Sequence, residues 1–219
     1  MHAVERLRDN ERMPWTRIIP VDLRLTLAIT GASGAVLARE MLRALAMDAR
    51  VAHVDMVPSA HAYRVMAEEL SLVGRSGLLP TLLGDVAGAE KIHLHAADDI
   101  GAGIASGSHP SDGMIVLPCS MGTLAAIANG LASNLIHRAA DVTLKQQRPL
   151  LLCVRETPFN RVHLRNMQLA SDAGAVIYPV MPAFYAKPQT TDEMAREFVC
   201  RVLGHIGLDQ PNAFIWQKD

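Results

Sequence analysis

Small residues and hydroxyl groups stand directly after two apolar runs of the chain, at the points where each run gives way to a helical pattern. Gly31–Gly34 (GASG) follows LTLAIT, and Pro118–Thr123 (PCSMGT) follows MIVL. A tight turn that enters a helix presents backbone N–H groups and the positive end of the helix dipole to an anion. Glycines in such turns also allow close helix–strand packing, and Ser120 can serve simply as an N-cap, so each motif alone is compatible with a structural role.

The positions of further polar residues favour a binding site. Apolar runs are followed by Ser33, Ser59, Ser120, Thr123, Arg155, Glu156 and Tyr185. Because the carboxyl ends of parallel strands line one crevice of an open sheet, we expect these side chains to converge there, where hydroxyls and amides suit a phosphate. The first turn is not G-x-G-x-x-G, and Pro58-Ser59 stands where a dinucleotide-binding enzyme carries an acidic residue. A mononucleotide therefore fits better than NAD.

A second set of residues is cationic. Arg138 and Lys145 lie seven residues apart, two turns along one face of a predicted helix, and Arg155-Glu156 follows a buried strand. Arginine holds a phosphate with two hydrogen bonds, lysine adds a mobile charge, and a carboxyl group among them can give a proton to a leaving phosphate. The combination suits a phosphate ester whose C–O bond must break, although ordinary surface ion pairs explain the same charges without a ligand.

Short apolar runs predict the strands that must position these groups, and their lack of strict alternation is typical of parallel strands buried on both faces. The runs are Leu25–Thr30, Val51–Val57, Met114–Pro118, Leu150–Val154 and Ala175–Tyr178, with 91–95 (KIHLH) as a sixth. Helices are predicted at Ala35–Ala46, at Ser133–Gln147 with Ser133 as N-cap, and from the capping-box sequence Thr190–Glu193 to about Ile206. Glycines interrupt the segment 71–113, which predicts a long connection with little regular structure. The fold class is therefore α/β, with three layers and a mostly parallel sheet.

Composition excludes several classes of function. The 219 residues are 50% hydrophobic, and 21 Lys and Arg against 22 Asp and Glu leave a net charge of −1, which argues against nucleic-acid binding. Three well-separated cysteines in apolar runs predict reduced thiols. No apolar stretch reaches the length of a membrane span or forms a secretory signal, so we expect a soluble cytoplasmic protein without membrane contact. His93 and His95 form an isolated H-x-H, so we expect no metal.

Four motifs together resemble the UbiX/Pad-type flavin prenyltransferases. They are GASGA at 31–35, the stretch 106–159 that contains RAADVTLK and RETPF, HLRNM at 163–167, and MPAFYAKPQT at 181–190, and the resemblance covers about residues 23–208. It implies a flavodoxin- or Rossmann-like sheet and a homo-oligomer, a dodecamer, with its sites at subunit contacts. It also implies a metal-independent reaction in which dimethylallyl phosphate alkylates N5 and C6 of reduced FMN, giving prenylated FMN for a separate UbiD-type decarboxylase.

The resemblance also implies roles for individual residues. FMN would be held by Gly31, Ala32, Ser33, Ser59, Ser120, Met121, Gly122, Thr123 and Arg155. Dimethylallyl phosphate would be bound by Arg138, Lys145, Tyr185, Arg201 and Trp216. The catalytic residues would be Ser33, Glu69, Lys145 and Glu156, with Glu156 as the proton donor. The chain would divide into an N-terminal extension (1–22), a flavin-binding α/β domain (23–208) and a C-terminal tail (209–219) that contributes to the site or to a subunit contact.

Two positions depart from the family pattern, and two other functions fit the same fold. Leu37 stands where an aromatic residue is usual, and SGSHP replaces the common SGSFP, so we expect His109 to alter the pocket wall or its solvation. One alternative is a flavin-dependent cysteine decarboxylase, which typically reads PASANT where this chain reads PCSMGT. The other is a non-catalytic FMN-binding accessory subunit of a decarboxylase, which would not need the catalytic and prenyl-phosphate residues named above.

Overall fold

A single parallel sheet organises the computed structural model, which describes residues 21–211, 213 and 214. Its strands are β1 (Leu23–Ile29), β2 (Val51–Pro58), β3 (Ile92–Leu94), β4 (Gly113–Cys119), β5 (Leu150–Val154) and β6 (Val176–Ile177). They lie in the order β3-β2-β1-β4-β5-β6, and every neighbouring pair is parallel. The structure has all six predicted strands, with bounds within two residues of those expected.

Helices cover both faces of the sheet and make the three predicted layers. They are α1 (Ala35–Met47), α2 (Ala60–Leu70), α3 (Leu78–Leu83), α4 (Met121–Ala128), α5 (Leu135–Lys145), α6 (Arg161–Asp172) and α7 (Thr191–His205). Leu27 packs into the core shared with α1, α2, α3 and α7, whereas its neighbour Ala28 packs into the core shared with α4, α5 and α6. Successive residues of a strand point to opposite faces, so a strand between two apolar cores carries no polar alternation.

The start of α5 differs from the prediction. Asn134, not Ser133, is the N-cap, because its side-chain oxygen accepts a hydrogen bond from the backbone N–H of His137 at 3.0 Å. Ser133 lies one residue outside the helix, and its hydroxyl pairs with the His137 ring at 2.9 Å. The cap must stand three residues before the N–H group that it satisfies, and Asn134 has that spacing.

The segment 71–113 contains more regular structure than predicted. It holds α3, β3 and two short 3₁₀ turns, at Ala89–Lys91 and Gly103–Ala105. Gly77 and Gly84 flank α3 instead of interrupting it, and Gly84 has φ +60, a backbone conformation that favours glycine. Leu78 and Leu82 are fully buried, so this helix forms because it buries apolar side chains against the core.

The N-termini of α7 and α6 are capped differently. Thr190 caps α7 as predicted and accepts from the Glu193 N–H at 3.1 Å, but the Glu193 carboxylate accepts from the N–H of Gln189, so the reciprocal bond of a capping box is absent there. The complete capping box lies at α6, where Asn160 and His163 exchange both bonds.

The order in which strands are added to the sheet reverses at its centre, between β1 and β4. Strand β1 pairs with β2 on one side and with β4 on the other, so the connections leave from β1 and β4 to opposite faces. Such a switch point leaves a crevice at the carboxyl edge, the edge of the sheet at which the strands end. The opposite edge, where the strands begin, is called the amino edge below.

Candidate functional site

A buried hydroxyl joins the ends of β1 and β4 under the crevice. Thr30 is 1% exposed, and its Oγ1 donates to the carbonyl oxygen of Pro118 at 2.7 Å and accepts from the N–H of Ser120 at 2.8 Å. This contact fixes the backbone at the start of α4. Sequence reasoning placed Thr30 at the end of a strand and assigned it no role, because its partners lie about ninety residues along the chain.

Two helices begin at this edge with hydroxyl caps. Ser59 Oγ accepts from the N–H of Ala62 at the start of α2, and Ser120 Oγ accepts from the N–H of Thr123 at the start of α4. The Ser120 hydroxyl also lies 3.1 Å from the Thr123 hydroxyl. Because β2 and β4 flank β1, two positive helix ends and three hydroxyl groups face the crevice, which suits a phosphate.

The N–H groups at the start of α1 bind a carboxylate of the same chain. Glu69 accepts from the N–H of Gly34 at 3.0 Å and from the N–H of Ala35 at 2.7 Å. Gly34 has φ +115 and offers no side-chain cap, so the carboxylate takes the place of one. Glu69 thus occupies the N–H groups at the start of α1, which leaves the starts of α2 and α4 for a phosphate from a ligand.

Of the two glycines predicted to hold FMN, Gly122 has open space around it and Gly31 does not. A Cβ on Gly122 would meet no atom within 4 Å, so packing does not explain the glycine, and open space lies beside the start of α4. A Cβ on Gly31, in contrast, would overlap the Cβ of His61, so that glycine allows α2 to approach β1. Ser33 is exposed, whereas Ala32 and Met121 are buried.

Arg155 and Glu156 lie at the same edge, directly after β5. The N–H of Arg155 donates to the carbonyl oxygen of Cys119 at 3.1 Å, which holds the ends of β4 and β5 together. Both side chains are exposed, and the Glu156 carboxylate accepts from the N–H of Thr157 at 2.9 Å. The structure therefore brings this pair beside the Ser120–Thr123 turn.

Tyr185 and Arg201 lie beyond β6. Arg201 donates to the carbonyl oxygen of Met181 at 2.9 Å, in the segment that continues from β6. The Tyr185 ring packs against the ring of Phe214 with centroids 5.2 Å apart. Trp216, the other predicted residue here, lies outside the described residues, although Phe214 shows that the described part of the tail reaches Tyr185.

Of the two predicted cations, Arg138 lies in the first turn of α5, whereas Lys145 lies at its far end, away from the predicted residues of the carboxyl edge. Both are on α5, which runs back from the carboxyl edge to the amino edge, and Lys145 is its last residue. Lys145 lies beside Gly107, which precedes the start of β4, whereas Glu156 follows the end of β5. The length of β4 separates these edges by roughly 20 Å. Lys145 is exposed, and its ammonium group has no hydrogen bond or ion pair with the described residues.

Cysteine and metal chemistry have no support here. All three cysteines are free and buried, and burial raises the pKa of Cys119 to about 12, so its thiol stays protonated at neutral pH. Within residues 21–211, 213 and 214, no group of three or more His, Cys, Asp or Glu side chains could hold a metal ion. No helix in that part of the chain is long and apolar enough to cross a membrane.

Comparison with known proteins identifies relatives over most of the chain. The Flavoprotein family model matches residues 20–199. The flavin prenyltransferase UbiX of Pseudomonas aeruginosa is 39% identical over 189 residues, which are 85% of this chain and 90% of that protein.

Solved structures of relatives also match most of this chain. The crystal structure of AnUbiX (PadA1) in complex with FMN and dimethylallyl pyrophosphate is 38% identical, with a TM-score of 0.80, and covers 90% of this chain and 98% of that one. A dodecameric FMN-dependent Ubix-like decarboxylase from Escherichia coli O157:H7 is 40% identical, with a TM-score of 0.79, 90% coverage of this chain and 100% of that one. The FMN-dependent cysteine decarboxylase TvaF is only 18% identical, with a TM-score of 0.52, and shares the fold alone.

Proposed function

The chain belongs to the flavin prenyltransferases of the flavoprotein family, and on this premise we propose that its crevice binds FMN and joins a dimethylallyl group to N5 and C6 of the reduced flavin. The observation that carries the proposal is the pair of hydroxyl-capped helix starts at the carboxyl edge, one of which, at α4, has open space beside it at Gly122. Backbone N–H groups and hydroxyls there suit the FMN phosphate. Bound FMN supplies the two nucleophilic positions, and dimethylallyl phosphate supplies the allylic carbon.

The residues at the carboxyl edge would have different roles in binding FMN and positioning it for the reaction. Ser59, Ser120 and Thr123 would hold the phosphate, while the backbone of Gly31–Ser33 and Gly122 would lie against the flavin ring. Arg155, whose side chain is exposed, would contact the nucleotide. Ser33 would position or relay a proton near the reacting nitrogen, and Glu69 would keep the Gly34–Ala35 turn in place for that contact.

The leaving phosphate needs a separate set of charges. Arg138, Lys145 and Arg201 would hold the phosphate of the prenyl donor as the C–O bond breaks, with Glu156 donating the proton. Tyr185 and Trp216 would line the prenyl pocket, which fits a tail (209–219) that contributes to the site. The phosphate leaves with the bonding electron pair, so the reaction needs neither an oxidant nor a metal ion.

We also infer that each site is shared between subunits. Lys145 and Glu156 lie toward opposite edges of the sheet in one chain, too far apart to act on one phosphate. Exposed apolar side chains near the crevice, including Phe184 at 73%, Met181 at 59% and Leu131 at 56%, favour a subunit contact. A second copy that places its α5 against this surface would complete the set, as in a dodecamer.

Subunit sharing can be tested by complementation. Lys145→Ala and Glu156→Gln, each inactive alone, should regain activity when they are co-expressed in mixed oligomers, because some sites then combine intact residues from different chains. A mixture of Lys145→Ala with Arg138→Ala is the matched control, since both residues are on one helix and no site regains the pair. Equal failure of both mixtures would show that sites are not shared.

The reaction itself can be tested by mass spectrometry. The protein is incubated anaerobically with reduced FMN and dimethylallyl phosphate or pyrophosphate, and the flavin should become heavier by one C₅H₈ unit with release of the phosphate. An unchanged flavin with both donors would refute prenyl transfer and favour an FMN-binding accessory subunit. A cysteine decarboxylase would instead release CO₂ from a cysteine-containing peptide, and the 38–40% identities to UbiX structures do not favour it.

We further propose that the product serves a UbiD-type decarboxylase as its cofactor, and that the protein works in the cytoplasm. The three buried thiols, which form no disulfide, fit a reducing compartment. Apo-decarboxylase activated by the reaction mixture, but not by FMN alone, would support the transfer of product.

A further inference from the structure

A buried carboxylate away from the crevice is surrounded by histidines. Asp55 in β2 is 3% exposed, and its carboxylate lies 2.7 Å from Nε2 of His95 and 3.2 Å from Nε2 of His109. Nε2 of His53 lies 3.1 Å away without hydrogen-bond geometry, and the His53 ring stacks on His93. Burial raises the pKa of Asp55, but the hydrogen bond with His95 and the nearby imidazoles of His53 and His109 outweigh it and hold the pKa below its usual range. Asp55 is therefore an ionised acceptor in the interior.

His109 links this carboxylate to the segment 103–109. The imidazole passes close to Gly103, where a Cβ would lie 2.7 Å from its Nδ1, so the glycine makes room for the ring. On the other side of the segment, Arg148 donates to the carbonyl oxygens of His109 at 3.1 Å and Gly107 at 3.3 Å. The segment is held between Asp55 and the residues that follow α5.

The same segment contacts the two cations of α5. The carbonyl oxygen of Ala105 accepts from Nε of Arg138 at 3.0 Å, and Nη1 of Arg138 pairs with Asp141 at 2.7 Å. These bonds use two of the five N–H groups and leave the others for an anion. Gly107 packs on the last turn of α5, where a Cβ would lie 3.6 Å from Cε of Lys145. The segment thus bonds directly to the Arg138 guanidinium and lies against the side chain of Lys145.

We propose that Asp55 and His109 are positioning residues for the prenyl donor: the Asp55–His109 hydrogen bond holds segment 103–109, and the segment orients Arg138 and Lys145 toward the phosphate. This inference rests on the proposed function, because it assigns Arg138 and Lys145 to dimethylallyl phosphate. This role would account for His109, which replaces the phenylalanine of the family's SGSFP pattern. A phenylalanine at 109 would fill similar space but could not bond to Asp55.

Two variants test the link. His109→Phe keeps a ring and removes the donor, and Asp55→Asn removes the charge while keeping the shape. Each should weaken binding of dimethylallyl phosphate about fivefold by calorimetry and raise its KM by a similar factor, with FMN affinity within about twofold. Hydrogen exchange of amides in 103–109 should become faster in both, because the segment loses one of the contacts that anchor it. His109→Gln, which retains a donor, should recover part of the affinity.

His93→Phe is the matched control, since His93 is exposed on the same part of the sheet and makes no bond to Asp55. It should change neither the donor affinity nor the exchange of 103–109. Unchanged donor affinity in both His109→Phe and Asp55→Asn overturns the proposal even when the wild type prenylates FMN. An equal loss of donor and FMN affinity also overturns it, because that result marks a general structural role. A wild type that binds no dimethylallyl phosphate refutes the proposed function, and this inference with it.

Discussion

Replacing Thr30 with valine should destabilise the backbone under the crevice, where the Thr30 hydroxyl joins the ends of β1 and β4. Valine keeps the shape but removes both hydroxyl bonds, and it leaves the N–H of Ser120 without the acceptor that it has at 2.8 Å. Pro118 keeps one donor, the N–H of Thr30 at 3.2 Å, so the main loss is one orphaned N–H group. Because Thr30 is 1% exposed, the expected cost is about 2 kcal/mol of unfolding free energy. The start of α4 should also become less well fixed, weakening FMN binding about threefold.

Urea unfolding followed by circular dichroism measures the first effect, at one fixed subunit concentration because oligomers gain stability from association. Quenching of FMN fluorescence measures the second. Thr30→Ser is the control, since it keeps both hydrogen bonds and loses one methyl group, worth about 1 kcal/mol. Wild-type stability and FMN affinity in Thr30→Val would refute the role of the hydroxyl. A larger loss in Thr30→Ser than in Thr30→Val would assign the effect to packing of the methyl group.

Two further predictions concern packing and charge. Gly31→Ala should cost about 2 kcal/mol of unfolding free energy and lower the melting temperature, because the added methyl group overlaps His61. Gly122→Ala, which has open space around it, should keep the melting temperature and weaken FMN binding. Equal melting temperatures for the two variants would contradict this prediction. Hydrogen bonds from Arg50 lower the pKa of Asp48 from its ordinary 3.8 to about 2, so the stabilisation is present above pH 3.8 and is lost as the pH falls toward 2. Asp48→Asn should therefore cost about 1 to 2 kcal/mol at pH 7 and much less at pH 2, where the carboxyl group is about half protonated in the folded protein. A loss that is the same at both pH values would exclude the charge as its cause.

Local patterns in the sequence predicted the elements well because nearby residues decide them. β5 spans the predicted Leu150–Val154, and the runs before Gly31 and Ser120 end within one residue of the ends of β1 and β4. A buried strand needs only a short apolar run, and a helix start needs only a cap at the right spacing. Errors arose where two residues compete for one local role, as Ser133 and Asn134 do at the start of α5. They also arose where glycines flank a short helix, as at α3.

The site depended on contacts between residues far apart in the chain. Glu69 reaches the turn at Gly34, and His109 reaches Asp55, because strand order brings these segments together. The amino-acid types by themselves determined that the chain forms a parallel α/β sheet with hydroxyl-rich turns, since each of those features is set by neighbours within a few residues. Only the tertiary structure decided that Lys145 lies toward the opposite edge of the sheet from Glu156, because the direction of a helix across a sheet follows from how the strands connect.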